Sequence, residues 1–299
     1  MISKFKNIFF VLIVSLTANS IYSQDYEQAL IQEAKDSVES IFSRLQFAKD
    51  DAEKYKLNGY IRSYLNFLLN EDEKFEYRFD TLGNLSYVKS PSGNLRVITW
   101  NILLDDGTFK YFGFLHYKDG KYIELFPLED FSNDTISKRK FNSHKEWYGA
   151  LYYEIIEKKW NKNTQYVLLG WDGADILINR KIIESLEFSH KNLPQFGERI
   201  FVKDKKRQGR IIFEYGESSS MILRYNPKHD IIVFQHLIPT DPRFTDLPQY
   251  YGPDMSFDAL EYKMGRWYFI ENIDPNEAIN YKKNKHINNL KKRGASRDF

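Results

Sequence analysis

The sequence contains no cysteine. This absence excludes disulfide bonds, thiolate metal ligands, a cysteine nucleophile and the lipid-bearing cysteine of a bacterial lipoprotein. Secreted eukaryotic domains usually carry disulfides, whereas exported bacterial domains of this size often lack them. The composition therefore favours a bacterial protein whose fold has no covalent cross-links.

The chain also lacks an apolar run long enough to cross a membrane. Residues 8–16 form a nine-residue apolar run, whereas a spanning helix needs about 20 residues. Lys4 and Lys6 precede this run and polar residues follow it, which is the pattern of a cleavable secretory signal over residues 1–23. We therefore predict export to the periplasm or the exterior of a bacterium, and a mature protein that does not span the membrane.

An excess of positive charge is missing from the body of the chain. The whole sequence has 43 basic and 41 acidic residues, but seven of the basic residues lie in the tail, residues 277–299. The body, residues 24–276, holds 34 basic and 39 acidic residues. Because nucleic-acid binding needs a clustered basic field, this balance argues against a nucleic-acid partner.

The usual signatures of catalysis are absent from the sequence as well. There is no Gly-x-Ser-x-Gly, no His-Glu-x-x-His, no P-loop and no Rossmann glycine fingerprint. The six histidines are isolated, and none has a second histidine at the spacing of a metal-binding pair. The sequence therefore identifies no catalytic residue, no cofactor and no metal.

The N-terminal part of the mature chain has a helical pattern. Apolar residues recur at steps of three, four or seven from Asp25 to Tyr55, which predicts a helix packed against the body or, alternatively, a coiled-coil dimer. Asn58-Gly59 predicts a stop, and the residues from Ile61 to Leu68 predict a second, short helix.

From Phe75 onward the apolar period becomes two, which indicates β-strands. Short turns such as Asp106-Gly107 and Asp119-Gly120 separate the strands, so residues 85–128 read as an antiparallel meander. About a dozen strands follow one another with almost no helix between them, which excludes a parallel α/β sheet. We predict a mainly β fold of antiparallel meanders, either propeller-like or a sandwich, preceded by the helical segment.

The same patterns divide the chain into four segments. Residues 1–23 are the signal peptide, 24–72 the helical N-terminal segment, 73–275 the antiparallel β domain and 276–299 a basic, polar tail.

Several phrases of the β region resemble a group of exported proteins of unknown function from Bacteroidota. The phrases are SPSGNLRVITWN, DGTFKYFGFLHY, WYGALYYEII, YVLLGWDG, RIIFEY, IVFQHLIP and YGPDMSFDA, and the resemblance runs from about Phe75 to Asn272. The resemblance implies an exported protein and carries no known chemistry, so it assigns no role to any residue.

The first candidate ligand site is Trp171-Asp172, which ends the apolar strand 166–169. Sugar sites combine an aromatic ring for the sugar face with a carboxylate for the hydroxyl groups, and this pair offers both. An Asp-Gly dipeptide after a strand is also typical of a turn in which the carboxylate caps its own backbone.

The second candidate lies between His236 and Asp258, where prolines stiffen an irregular stretch beside predicted strands. A histidine and two aspartates in this stretch could bind a divalent cation, although their spacing matches no known cation loop. The alternative is a rigid connector with Asp-capped turns. The candidate ligand-binding residues of this stretch are His236, Asp241, Tyr251, Asp254 and Asp258.

A third aromatic group surrounds Gly149. Trp147, Tyr148, Tyr152 and Tyr153 are interpreted as core residues, with a ligand platform as the alternative.

These observations favour a non-catalytic exported β-domain that binds a partner in the cell envelope or outside the cell, such as an envelope protein or a glycan. A glycan-acting hydrolase that uses Asp and Glu residues is one alternative. An envelope assembly factor that docks through its N-terminal helices and basic tail is another.

Overall fold

The computed structural model describes residues 29–72, 75, 77, 79, 82–131 and 142–274. The chain divides into two compact units, Met1–Tyr77 and Arg78–Phe299. The predicted signal peptide and the predicted basic tail lie outside the described residues. Within the described ranges, no helix is both long enough and apolar enough to cross a membrane.

Two helices form the described part of the first unit. Helix α1 covers residues 29–45 of the described chain and helix α2 spans Asp51–Glu71. The side chain of Asp50 accepts a hydrogen bond from the backbone N–H of Glu53 at 2.8 Å, and the Glu53 carboxylate accepts one from the N–H of Lys49. This reciprocal cap fixes the start of α2.

The predicted helix boundaries in this unit are wrong. One helix was expected to continue to Tyr55, but the chain breaks before the cap at Asp50. The expected stop at Asn58-Gly59 lies inside α2, because the buried stripe continues from Leu57 through Ile61 to Leu69. The burial of this apolar stripe outweighs the low helix propensity of a single glycine.

The second unit begins with a four-stranded antiparallel meander, which we call sheet 1. Its strands follow in chain order and are β1 Ser86–Lys89, β2 Leu95–Leu103, β3 Phe109–Asp119 and β4 Tyr122–Glu129. The turns at Gly107 and Gly120 both adopt a positive φ, which glycine tolerates without steric cost.

Sheet 2 consists of five strands, β5 Leu151–Trp160, β6 Asn163–Asp172, β7 Ile178–Phe188, β8 Pro194–Phe196 and β11 Arg210–Gly216. Their order is β11-β7-β6-β5, and β8 pairs with the end of β7. All of its pairings are antiparallel. A bulge in β5 lies between Tyr152 and Glu154.

Sheet 3 has the order β10-β9-β15-β14-β13-β12. The parallel pairing of β15 with β9 makes this sheet mixed, while its other pairs are antiparallel. Its strands are β9 Phe201–Lys203, β10 Lys206–Gln208, β12 Leu223–Asn226, β13 Ile231–Pro239, β14 Tyr251–Lys263 and β15 Arg266–Ile270. The described part of the unit also contains three 3-10 helices: His144–Glu146, Pro242–Phe244 and Pro248–Tyr250.

Sheet 2 is the middle layer of a face-to-face stack. Along β6, Tyr166 and Leu168 belong to the core shared with sheet 1, whereas Val167 and Leu169 belong to the core shared with sheet 3. Since successive residues of a strand point to opposite faces, both faces of β6 must be apolar. This explains why residues 166–169 form an uninterrupted apolar run.

The structure confirms the mainly β class with preceding helices, and the three stacked sheets correspond to a layered sandwich rather than a closed barrel. Three details differ from the expected strands. Phe75, Tyr77 and Phe79 are not in a strand, the short strands β8 and β10 were not expected, and β14 begins at Tyr251 within the proline-rich stretch. A three-residue strand presents too few alternating residues to register as a period in the sequence.

Candidate functional site

Asp172 ends β6 and is almost fully buried. Its carboxylate accepts hydrogen bonds from the hydroxyl groups of Tyr111 and Tyr148 at 2.9 and 3.2 Å, and from the backbone N–H of Ala174 at 2.8 Å. The guanidinium of Arg180 lies 3.3 Å away. Asp172 thus caps its own turn and is saturated by protein donors.

The ring of Trp171 is packed against the protein. It meets the ring of Phe109 edge to face at 5.8 Å between centroids. A Cβ on Gly173 would lie 2.4 Å from Phe109, so the turn after β6 closes tightly over this pair. Trp171 and Asp172 therefore serve internal contacts, and the site described below does not use them.

A second buried polar network lies on the same face of sheet 2. The Glu184 carboxylate is fully buried, and it accepts hydrogen bonds from the Tyr152 hydroxyl and the Arg210 guanidinium. The indole N–H of Trp147 donates to the Tyr152 hydroxyl at 2.9 Å. Burial alone would lower the pKa of Arg210, but the Glu184 carboxylate holds it above its usual value.

Trp147, Tyr148 and Tyr152 all belong to the core shared by sheets 1 and 2, which agrees with their interpretation as core residues. Sequence reasoning missed the role of Glu184. A charged residue at an inward-facing position of an apolar strand is the signal that could have revealed it.

The hairpin of β13 and β14 extends past its neighbouring strands as an arm, residues 236–256. β12 pairs with β13 only up to Phe234, and β15 pairs with β14 only from Ala259 onward. Among the described strands of sheet 3, this part of the hairpin pairs only with itself.

A bulge marks the base of the arm. Gln235 pairs with Phe257 and Leu237 pairs with Pro253, so a single residue, His236, faces the three residues 254–256. Met255 has a φ of 75°, which lies in the left-handed region. The extra residues turn the strand and bring separate side chains together around His236.

The bulge unites three of the sequence-predicted site residues. Nδ1 of the half-exposed His236 lies 3.2 Å from Oδ2 of Asp258, a buried carboxylate that also accepts from the backbone N–H of Asn272. Asp254 accepts from both the hydroxyl and the N–H of Ser256, and the hydroxyl is the main cause of its lowered pKa. The charge of His236 lowers this pKa further.

The tip of the arm is stiffened by its own contacts. The two 3-10 helices of the arm each begin with a proline. The carboxylate of Asp241 accepts hydrogen bonds from the backbone N–H and the guanidinium of Arg243. Thr240 donates its N–H to the carbonyl of Tyr250 at 2.9 Å, which closes the loop. The rings of Phe244 and Tyr250 stack at 4.2 Å.

Among the described residues, no hydrogen bond links the other two candidates of this stretch to His236, Asp254 or Asp258. Asp241 caps the first 3-10 helix at the tip, and Tyr251 begins β14 and packs against the core between sheets 2 and 3. Across the described ranges, no three His, Asp or Glu side chains are grouped so that they could hold a metal ion.

Large apolar side chains are exposed along the arm and beside it. Met255 is 77% exposed, and Ile176, in the turn between β6 and β7, is 71% exposed. The end of β11 and the loop after it connect the β6–β7 turn to the arm. The N–H of Glu217 donates to the carbonyl of Leu177 in the turn, and Gly216 packs closely against the backbone of Gln249 in the arm. We call this surface the apolar rim; it consists of Ile176, Leu177, Ile238, Leu247, Tyr250 and Met255.

Comparisons with protein-family models, with curated proteins and with solved structures yield no match to this chain. The geometry of the arm and its surroundings is therefore the basis for the functional argument.

Proposed function

We propose that the β domain is a non-catalytic binding domain for a protein of the cell envelope or the extracellular space. The observation that carries the proposal is the apolar rim, in which six large apolar side chains are exposed on two adjoining segments of the second unit. Exposed apolar side chains gathered on one surface are typical of protein interaction sites.

The composition and stiffness of the rim support this role. Tyr and Met are enriched in the centres of protein interfaces, and the rim contains Tyr250 and Met255. The prolines, the Asp241 cap and the Phe244–Tyr250 stack hold the arm in one shape. A surface that is ordered before binding loses less conformational entropy when the partner arrives.

The compartment of the partner follows from the predicted signal peptide over residues 1–23. An exported mature chain meets envelope and extracellular proteins, and the cysteine-free composition is compatible with either compartment.

A glycan-acting hydrolase is the second candidate, because one observation favours it. A histidine oriented by a buried carboxylate, as His236 is by Asp258, is an arrangement that supports proton transfer. Asp254 lies at the same bulge and offers a further carboxylate.

Site-specific photo-crosslinking tests the binding proposal. A photoreactive residue replaces Met255, and in a matched control it replaces Met264, a methionine of similar exposure in the turn between β14 and β15. The proposal expects a discrete cross-linked protein of the envelope fraction from position 255 only, and loss of that product when Tyr250→Asp is added. The same product from position 264, or none from position 255, would contradict it.

The hydrolase candidate is tested on a panel of envelope and extracellular glycans. Turnover that Asp258→Asn abolishes would replace the binding proposal with the catalytic one.

A further inference from the structure

The hairpin of β9 and β10 forms one edge of sheet 3 and is strongly basic. Of the five residues from 203 to 207, four are cationic and exposed: Lys203, Lys205, Lys206 and Arg207. Asp204 is the single acidic residue among them. The hairpin therefore carries a concentrated positive charge on a body whose overall composition is slightly acidic.

Within the described part of the chain, no carboxylate pairs with this charge. None of the four cations forms an ion pair with a carboxylate of the described residues, whereas Lys110, Lys158 and Lys263 each do. The ammonium group of Lys203 lies 3.8 Å from the ring centroid of Phe269, a contact that leaves its charge in place.

Two features of the hairpin work against its own stability. Lys203 and Lys206 are direct cross-strand partners, and like charges in that position destabilise a sheet by a few tenths of a kcal/mol to about 1 kcal/mol. Asp204 and Lys205 form the turn with φ values of 49° and 65°, where lysine is less suited than asparagine or glycine. Charge on an edge strand also discourages pairing with other chains, but that role does not require a cation in the turn.

We propose that this hairpin binds an acidic polysaccharide. Because side chains alternate along a strand, Lys203 and Lys206 share one face of the hairpin, Arg207 occupies the other and Lys205 lies at the turn. A flexible chain that carries carboxylate, sulfate or phosphate groups can follow cations around both faces. A flat lipid surface would meet only one face, and the acidic body repels a broad polyanion such as duplex nucleic acid. The hairpin shares no residue with the apolar rim, and an acidic polysaccharide is a ligand beyond the proposed protein partner.

Binding of low-molecular-weight dextran sulfate tests the proposal, with uncharged dextran as the matched probe. The background is the full chain with the seven basic residues of 277–299 replaced by glutamine, so that the tail does not contribute to the signal. The test variant adds Lys205→Gln, Lys206→Gln and Arg207→Gln. The control variant adds Lys121→Gln, Lys159→Gln and Lys162→Gln, which remove the same charge from exposed positions elsewhere, in two turns and near the end of β5.

The background protein should bind dextran sulfate and not dextran, with an affinity that falls as salt rises. The test variant should lose at least tenfold in affinity, and the control variant should stay within twofold of the background. Thermal melting monitored by circular dichroism verifies that both variants fold. No binding by the background, an equal loss in the control, or tighter binding to phosphatidylglycerol vesicles than to dextran sulfate overturns the proposal.

Discussion

The carboxylate of Glu154 connects two sheets: its Oε2 accepts a hydrogen bond from the backbone N–H of Tyr225 at 3.1 Å. Glu154 lies at the bulge of β5, an edge strand of sheet 2, and Tyr225 lies on β12, an edge strand of sheet 3. Burial of the carboxyl group raises the pKa of Glu154 to about 7, although the bond from Tyr225 acts in the opposite direction. Because the carboxyl group is buried between the two sheets, we expect the stability of their junction to depend on pH.

The first prediction concerns Glu154→Gln and the pH dependence of folding. The unfolded carboxyl has a pKa near 4.5, so between that pH and 7 the folded state binds more protons than the unfolded state. The stability from Glu154 is fully present below pH 4.5 and is lost as the pH rises through 7, by roughly 3 kcal/mol at most. The variant keeps an oxygen acceptor for Tyr225 and should lose this decline.

Urea denaturation followed by tryptophan fluorescence, from pH 4.5 to 8, measures the effect as the difference between the wild type and the variant. Glu157→Gln, the same substitution on the same strand, is the matched control. An identical pH slope in the wild type and Glu154→Gln would refute the assignment.

His116 should produce a pH dependence of the opposite sign. Its Nδ1 lies 2.6 Å from the guanidinium of Arg96, and burial, followed by the charge of Arg96, lowers its pKa from 6.5 to about 3. The unfolded state therefore binds the extra proton below pH 6.5, and the stability present above that pH is lost as the pH falls towards 3. The loss at pH 4 should be roughly 3 kcal/mol.

His116→Gln keeps an acceptor for Arg96 and should reduce the acid sensitivity, as measured by urea denaturation between pH 4 and 7. His229→Gln changes an exposed histidine and serves as the control. Glu154 and His116 change the stability in opposite directions as the pH rises. Each effect is therefore obtained from the difference in unfolding free energy between a variant and the wild type, and not from the wild-type pH curve alone.

A third prediction concerns the hydroxyl of Tyr152. This group donates to the buried Glu184 and accepts from the indole of Trp147. Tyr152→Phe leaves both partners with one contact fewer in a buried site, and should lower the free energy of unfolding by about 1–3 kcal/mol. Tyr117→Phe is the matched control, since the Tyr117 ring stacks on Phe188 and would keep that contact. Equal stability of the two variants in urea denaturation would be inconsistent with a stabilising network.

The sequence predicted the longer strands well because each of them has enough residues to show its period. Sheet 1 illustrates this: alternating residues and the Asp-Gly turns located its strands to within a few residues. The sequence permits both a face-to-face stack and a propeller-like array, because strand periodicity indicates which side of a strand is buried but not which sheet covers it.

The candidate site was less predictable because it depends on register. His236, Asp254 and Asp258 meet through a bulge that places one residue opposite three, and no local pattern encodes that pairing. The apolar rim was missed for a related reason: Ile176 and Met255 are ordinary apolar residues until the fold exposes them. Asp172 caps its own turn through the backbone N–H of Ala174, as its position before a glycine indicates.

The last prediction uses two glycines whose surroundings differ. Gly59 lies within α2 with nothing within 4 Å of an added Cβ, so Gly59→Ala should raise the free energy of unfolding by about 0.5–1 kcal/mol through helix propensity. At Gly113, on β3, an added Cβ would lie 2.6 Å from the carbonyl oxygen of Ile98 on the adjacent strand. Because that oxygen belongs to the backbone and cannot rotate away, Gly113→Ala should destabilise the fold by more than 1 kcal/mol. Thermal and urea unfolding of the two variants should therefore shift in opposite directions, and a destabilising Gly59→Ala would mean that this glycine serves a contact beyond the helix itself.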